Sequence, residues 1–311
     1  MERTTSFAMR ATRPQAGALL ELLKPITWFP PMWAFLCGAV SSGVGLFENP
    51  ALLIAGILLA GPMVCGASQV VNDWFDREVD AINEPQRAIP SGRVPGNWGL
   101  IFAILWTGLA AALGAALGFW VGIATLVGLA LAWAYSAPPL RLKRNGWWGA
   151  AAVGLSYEGL AWLTGAAVFL GGVLPPWQIL AVAGLYSVGA HGIMTLNDFK
   201  SVQGDRALGL RSLPASYGLR KAAIIACWFM AVPQLFIVAL LATSGANWQA
   251  LAVSLLIIAQ LFAMVRLLKK PEELAPWYNA TGVTAYVSGM MVTATALPSM
   301  VVLRRCKILA G

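Results

Sequence analysis

The chain has 311 residues, of which 59% are hydrophobic and only 11% charged, and it carries a formal net charge of +8. An ordinary soluble domain carries about a quarter charged residues, so this composition argues against a water-soluble enzyme. It argues equally against a solvated nucleic-acid-binding domain, because the basic residues fall in short loops between apolar runs, where anionic lipid and an anionic substrate are the partners to expect and nucleic acid is not.

In chain order, residues 1–24 form a tail bearing Arg3, Arg10 and Arg13 without a small-residue cleavage site, so it reads as a retained cytoplasmic segment rather than a signal peptide. Residues 25–311 read as a single transmembrane domain. Apolar runs long enough to cross a hydrocarbon core of ~30 Å as helix recur near 26–45, 51–71, 98–117, 119–137, 148–170, 178–197, 221–242, 247–267 and 281–302. The predicted fold class is therefore an all-α integral membrane protein of about nine transmembrane helices. Lysine and arginine cluster in the N-terminal segment and in the loops after the second, fourth, sixth and eighth runs, which places those loops on the cytoplasmic side. Arg304, Arg305 and Lys307, after the last run, are the exception, leaving the side of the C-terminus open. Cys37, Cys65, Cys227 and Cys306 are scattered without CxxC or paired-histidine spacing, so neither a zinc site nor a disulfide framework is expected.

Two segments at cytoplasmic run ends echo each other. Asn72-Asp73-Trp74 through Asp80 and Asn197-Asp198-Phe199 through Asp205 both open with Asn-Asp-aromatic and close on Asp, and each is followed by Arg-x-x-Pro, at Arg87 and at Arg211. If helix runs through the first box, a step of about 100° per residue puts Asn72, Asp73, Asp76 and Asp80 within one arc. Three like charges on one face call for cations, and hard oxygen ligands suit Mg²⁺, which shares its shell readily with phosphates. Asp198 and Asp205 would share a face as well if no break occurs near Gly204. Arg87, Arg93, Arg141, Lys143, Arg144, Lys200, Arg206 and Arg211 surround the boxes and suit a diphosphate. Charges at span ends are ordinarily solvated anchors, but two matching boxes amid such cations read as a magnesium diphosphate site with Asn72, Asp73, Asp76, Asp80, Asp198 and Asp205 as metal ligands.

The motifs Asn72 through Asp80, Asn83-Glu84-Pro85 to Arg87-Ala88-Ile89-Pro90-Ser91-Gly92, Tyr135-Ser136-Ala137-Pro138-Pro139-Leu140-Arg141-Leu142-Lys143 and Asn197 through Arg206 resemble the UbiA-type intramembrane prenyltransferases over nearly the whole chain. The long second box running on to Pro214 is similar to the chlorophyll synthase branch, and Lys24 through Trp33 and Pro276 through Asn279 are similar to its bacteriochlorophyll-making members. Gln203 departs from the glutamate usual there and is not counted as a ligand. The resemblance implies a UbiA-type bundle with a polar cytoplasmic cap in a bacterial inner or photosynthetic membrane. It implies Mg²⁺-dependent transfer of a geranylgeranyl or phytyl group from its diphosphate to the propionate of bacteriochlorophyllide a, with pigment-delivery proteins as further partners. Under that reading Asp73, Asp76, Asp198, Lys143 and Tyr135 carry catalysis, and Arg87, Lys143, Lys200 and Arg206 hold the diphosphate. Tyr135 orients the diphosphate, faces the developing cation, or is an interfacial anchor.

His191, the only histidine, lies two turns before Asp198 and reads either as a buried residue satisfied by its surroundings or as an axial ligand to a pigment metal. Glu158 is the only acid placed well inside a run, where function is a fair default. Two other readings stay open: a relative acting on chlorophyllide, a quinone precursor or haem, and a multi-span transporter. Transporter sites sit near the bilayer midplane at broken helices, whereas these acids stand at run ends, which favours the enzyme.

Overall fold

The computed structural model describes residues 13–207 and 209–309; the start of the expected tail with Arg3 and Arg10, Leu208, and the side chains beyond 301, among them Arg304, Arg305, Cys306 and Lys307, lie outside the described residues. Helix accounts for nearly all of the described chain, and no strand occurs in it, since apolar surroundings oblige each segment to satisfy its own backbone groups. The elements are α1 (Ala16–Leu22), α2 (Phe29–Ser41), α3 (Pro50–Asn83), α4 (Trp98–Ala116), α5 (Phe119–Ser136), α6 (146–169), α7 (Trp177–Asn197), α8 (Val202–Ala207), α9 (Leu213–Tyr217), α10 (Leu219–Thr243), α11 (Asn247–Leu267) and α12 (Pro271–Leu309).

Seven helices, α3, α4, α5, α7, α10, α11 and α12, are long and apolar enough to cross a membrane, against the nine expected. The other two expected spans fall short in different ways. Helix α2 has 13 residues, because the 3₁₀ turn Pro25–Thr27 precedes it and Gly43 turns the chain at φ 77° just after it. Helix α6 is long enough but carries Ser156, Tyr157 and Glu158 at its centre.

The largest core cluster joins α2, α6, α7, α10, α11 and α12. Trp162 stacks on Tyr186 with ring centroids 5.6 Å apart, and Tyr186 meets Tyr286 edge-on at 5.4 Å. Their polar ends are satisfied: Trp162 Nε1 donates to Ser41 Oγ at 3.1 Å, Tyr186 Oη and Thr293 Oγ1 lie 2.8 Å apart, and Tyr286 Oη donates to the Tyr186 carbonyl at 2.7 Å. Gln234 and Gln260 exchange amide bonds between α10 and α11 at 3.0 and 3.1 Å. Helices α2 and α6 approach backbone to backbone, since a Cβ on Gly38 would fall 1.9 Å from the Trp162 carbonyl oxygen and one on Gly165 2.0 Å from that of Phe35. Small residues are what allow such approach where lipid offers no hydrophobic drive.

Two stretches depart from α-helical winding: Leu59–Cys65 in α3 and Leu155–Leu160 in α6 are π-helical. Pro62 inside the first removes a ladder donor, and in the same stretch Trp106 Nε1 donates to Pro62 O at 2.9 Å. At one end of the bundle the loops after α4 and α6 meet, where Trp120 N donates to Gly172 O at 3.1 Å. At the other end the loop after α5 is tied to the loop between α8 and α9 by Gly146 N to Arg211 O at 2.8 Å and Arg211 N to Arg144 O at 2.9 Å. This second end gathers both Asn-Asp boxes.

Candidate active site

No glycine or proline interrupts 67–83, so α3 runs through the first box as the 100° argument requires, and it stops at Glu84, whose successor Pro85 disfavours helix. The shared face is real: Asn72 Nδ2 donates to Asp76 Oδ2 at 3.0 Å and lies 3.4 Å from Ser136 Oγ on α5. Cations then meet each carboxylate. Lys24 Nζ donates to Asp73 Oδ1 at 2.6 Å, Arg87 Nη1 reaches the same oxygen at 3.4 Å and Asp80 Oδ2 at 2.9 Å, and Arg87 also pairs with Glu84. Lys143 Nζ bonds both oxygens of Asp76, and Arg141 Nη2 stands 3.4 Å from one of them. Burial works against the charge of Lys143 and outweighs the Asp76 partner, holding its pKa below the usual lysine value. For Arg87 burial is outweighed by Glu84, Asp73 and Asp80, leaving its pKa above the ordinary arginine value.

The second box is built differently, and here the structure corrects the sequence. Helix α7 ends at Asn197, Asp198–Lys200 form a 3₁₀ turn, and α8 restarts at Val202, so Asp198 and Asp205 do not lie on one helix face; the break precedes Gly204. Asp205 is buried and accepts from Ser201 Oγ at 3.1 Å and from Ser212 Oγ, both on Oδ2. Asp198 makes no side-chain hydrogen bond or ion pair among the described residues, although Lys200 and Asp205 are close enough to act on it electrostatically. Asn197 Oδ1 accepts from Asn279 Nδ2 of α12 at 2.9 Å. Lys200 and Arg206 are exposed, and Arg206 Nε points to the Ala215 carbonyl at 3.4 Å rather than to a box carboxylate.

One residue of each box, Asn72 and Asn197, lines a single cavity of about 420 Å³. Asn72, Asn197 and Tyr135 line its mouth, and its wall continues through Leu131, Gly128, Thr125, Val64, Leu160 and Ile193. Along α5 alone, Tyr135 to Ala124 spans ~16 Å at 1.5 Å per residue. Tyr135 lies near enough to Asp198, Asp76 and Asp205 to interact with all three charges. Among the described residues no group of three His, Cys, Asp or Glu side chains forms a ready metal cluster, because the first-box acids face cations instead. The donors are all hard oxygens, which fits magnesium. Arg141 Nε is buried without a partner beside Asp76, an orphan donor that fits an anion.

Sequence reading singled out most of this set but passed over Lys24 as a site residue. Lys24 and Arg141 are the only non-glycine residues with positive φ among the described ones, at 46° and 41°, and both present a cation to the first box. A backbone so strained is kept where the surroundings demand it. The lysine preceding Pro25 was the available signal. His191 is buried, stacked on Phe229 at 4.3 Å and beside Trp147 at 5.6 Å, with hydrogen bonds to the Trp147 backbone and, at 3.5 Å, Thr195; this matches a satisfied core histidine.

The family model described as UbiA prenyltransferase family matches residues 27–291. The chain is 56% identical to the bacteriochlorophyll synthase 33 kDa chain of Rhodobacter capsulatus, over 93% of this chain and 95% of that protein. It is 43% identical to the chloroplastic chlorophyll synthase of Oryza sativa subsp. japonica, over 89% of this chain and 76% of that one. A solved UbiA homologue from Archaeoglobus fulgidus, bound to DMAPP and Mg²⁺, superposes with a TM-score of 0.68 at 18% identity, covering 89% of this chain and 99% of that chain; at that identity the likeness is one of fold.

Proposed function

The chain belongs to the UbiA prenyltransferase family, and from that membership and the geometry of its boxes we propose that it esterifies the propionate of bacteriochlorophyllide a with a geranylgeranyl or phytyl group taken from the diphosphate. The observation that carries this reading is that Asn72 and Asn197, one from each Asn-Asp box, line a single, largely apolar cavity, next to box carboxylates that Arg87 and Lys143 meet. A diphosphate fits the mouth and an isoprenoid tail fits the wall.

Asn72, Asp73, Asp76, Asp80, Asp198 and Asp205 would hold magnesium, which when bound neutralises the diphosphate as a leaving group. Lys143 and Arg87 satisfy Asp76, Asp73 and Asp80; were metal held by those carboxylates, the same cations would be free to bind the diphosphate oxygens. Each charge thus keeps a partner before and after substrate enters, as a partly buried charge must. Lys24 and Arg141 act in the same way, Arg141 with its free Nε, while Lys200 and Arg206 close over the phosphates from the second box. Tyr135 orients the diphosphate or faces the carbon that gains positive character as the C–O bond to diphosphate lengthens. The acceptor needs no general base, since a carboxyl with a pKa near 4 is ionised at pH 7. Its oxygen closes on the allylic carbon from the side opposite the leaving group. The chain is a multi-pass membrane protein, and the basic loops support a cytoplasmic position for this end.

The test is product formation by purified protein given Mg²⁺, bacteriochlorophyllide a and geranylgeranyl diphosphate, repeated with chlorophyllide a and with EDTA. An esterified bacteriochlorin that forms only with metal is the expected result. Esterification of chlorophyllide a in preference would select the acceptor of the plant relative, and no esterification of either pigment by folded protein would refute the synthase reading.

A further inference from the structure

Glu158 sits in the middle of α6, within the π-helical stretch Leu155–Leu160, and lines the cavity. It is 5% exposed, and its Oε2 is buried without a hydrogen-bond partner. Among the described residues no cation pairs with it. A carboxyl held in apolar surroundings without a counter-ion carries its proton, so a cavity-lining residue holds an O–H donor with no partner among the described residues. Such a group costs stability and marks a function in a membrane interior. The winding around it agrees, because π-helical insertions re-aim side chains and gather at functional sites; the second such stretch, Leu59–Cys65, lines the same cavity with Leu59, Ala60, Val64 and Cys65.

Depth decides what this donor can meet. The adjacent Tyr157 is bonded by Cys65 Sγ at 3.3 Å and Gln69 Nε2 at 3.0 Å, and Cys65 lies seven residues, ~10 Å of helix, below Asn72. On α7, Ser187 packs against Gly154 and Gly159 of α6, beside Glu158, and it lies eleven residues, ~16 Å, below Asp198. Glu158 is therefore well below the reacting carbon and alongside the body of the tail. Geranylgeranyl and phytyl chains have the same length; at that depth the former offers carbon–carbon double bonds and the latter only saturated carbon. A π-bond accepts a weak hydrogen bond, and saturated carbon does not.

Resting on the prenyl-transfer reading above, we propose that Glu158 is a specificity-determining residue for the tail, donating its carboxyl proton to a double bond of the prenyl chain and so favouring the polyunsaturated chain over its reduced counterpart. One weak hydrogen bond gives a preference of roughly two- to fivefold.

The experiment uses full-length protein in nanodiscs with Mg²⁺ and compares geranylgeranyl with phytyl diphosphate in two ways, as kcat/KM with bacteriochlorophyllide a and as equilibrium binding without acceptor. Wild type is expected to favour geranylgeranyl in both. Glu158→Met, unbranched and of similar length, should bring the ratio to about one, while Glu158→Gln, which keeps an N–H donor, should retain a preference. A ratio unchanged in Glu158→Met, or a wild type that binds both tails equally, would overturn the proposal. Should no pigment be esterified, the synthase reading fails by itself, and the binding ratio still decides the role of Glu158.

Discussion

The two Asn-Asp boxes look alike in sequence and differ in structure. In the first, one unbroken helix puts four oxygen-bearing side chains on a face, and Lys24, Arg87, Arg141 and Lys143 come to meet them from three other segments. In the second, the helix breaks at Asp198, the carboxylate of Asp205 is satisfied by two serine hydroxyls, and Asp198 has no partner among the described residues. The carboxylates of the first box are thus each met by a cation, whereas Asp198 of the second has no side-chain partner among the described residues. If the boxes hold metal as proposed, Asp198 could take an ion without displacing a partner, whereas the first box would have to release its cations.

The largest expected effect treats the boxes as equals. Asp76→Asn and Asp198→Asn should each reduce turnover by orders of magnitude in a pigment-esterification assay, because both remove a proposed metal ligand. Wild-type rates from folded versions of both would refute the metal assignment. Stability should separate them. In EDTA, Asp76→Asn leaves Lys143 and Arg141 without their carboxylate and should cost about 1–3 kcal/mol, a partly buried pair counting for less than a fully buried one. Asp198→Asn loses no partner and should melt at or above the wild-type temperature. Equal melting temperatures would erase the distinction between the boxes.

Lys24 sharpens the comparison from the other side. Lys24→Met should raise KM for the prenyl diphosphate and lower kcat/KM by about 10- to 100-fold, the loss of one positioned donor at a leaving group. If it acts only as a strap for α1, the melting temperature would move and the kinetics would not.

The helical face of the first box, its facing cations Arg87 and Lys143, and most of the spans were legible in the sequence because each depends on local periodicity or on charge beside an apolar run. Lys24 was not, since its partner lies 49 residues away and its left-handed backbone is set by tertiary packing. The break at Asp198 was expected later, at Gly204. It comes earlier because the chain must leave α7 to reach Asp205, whose carboxylate gathers Ser201 and Ser212. Two of the nine expected spans do not match the length and composition of the other seven, because hydropathy shows neither the turn that shortens α2 nor how the polar centre of α6 is used.

A smaller effect concerns the wall below both boxes. Removing an unpaired buried donor without leaving a cavity should stabilise, so Glu158→Met should gain about 1 kcal/mol in the absence of substrate, read as a higher melting temperature. A lower one would mean that the carboxyl already has a partner, such as a bound water.

The smallest effect lies behind the first box. Arg93 donates from Nη2 to Glu21 Oε1 at 2.8 Å and to the Gln86 carbonyl at 2.7 Å, and its own carbonyl accepts from Gln15 N at 3.1 Å, so this pair ties α1 to the loop that follows the first box. Glu21 is the last acid before Lys24, and the hydrogen bond from Arg93 holds its pKa below the usual glutamate value. A carboxylate with a depressed folded-state pKa contributes stability above its unfolded value and loses it as pH falls through the folded one. The pair is nearly half exposed on the Glu21 side, so Glu21→Gln should cost less than about 1 kcal/mol at pH 7 and nothing once the pH lies below the folded pKa. The same variant should leave Asp198-dependent metal binding intact while loosening Lys24 on Asp73, seen as a modest rise in KM for the diphosphate. A change in metal affinity instead would mean that the two boxes are coupled through the bundle rather than independent.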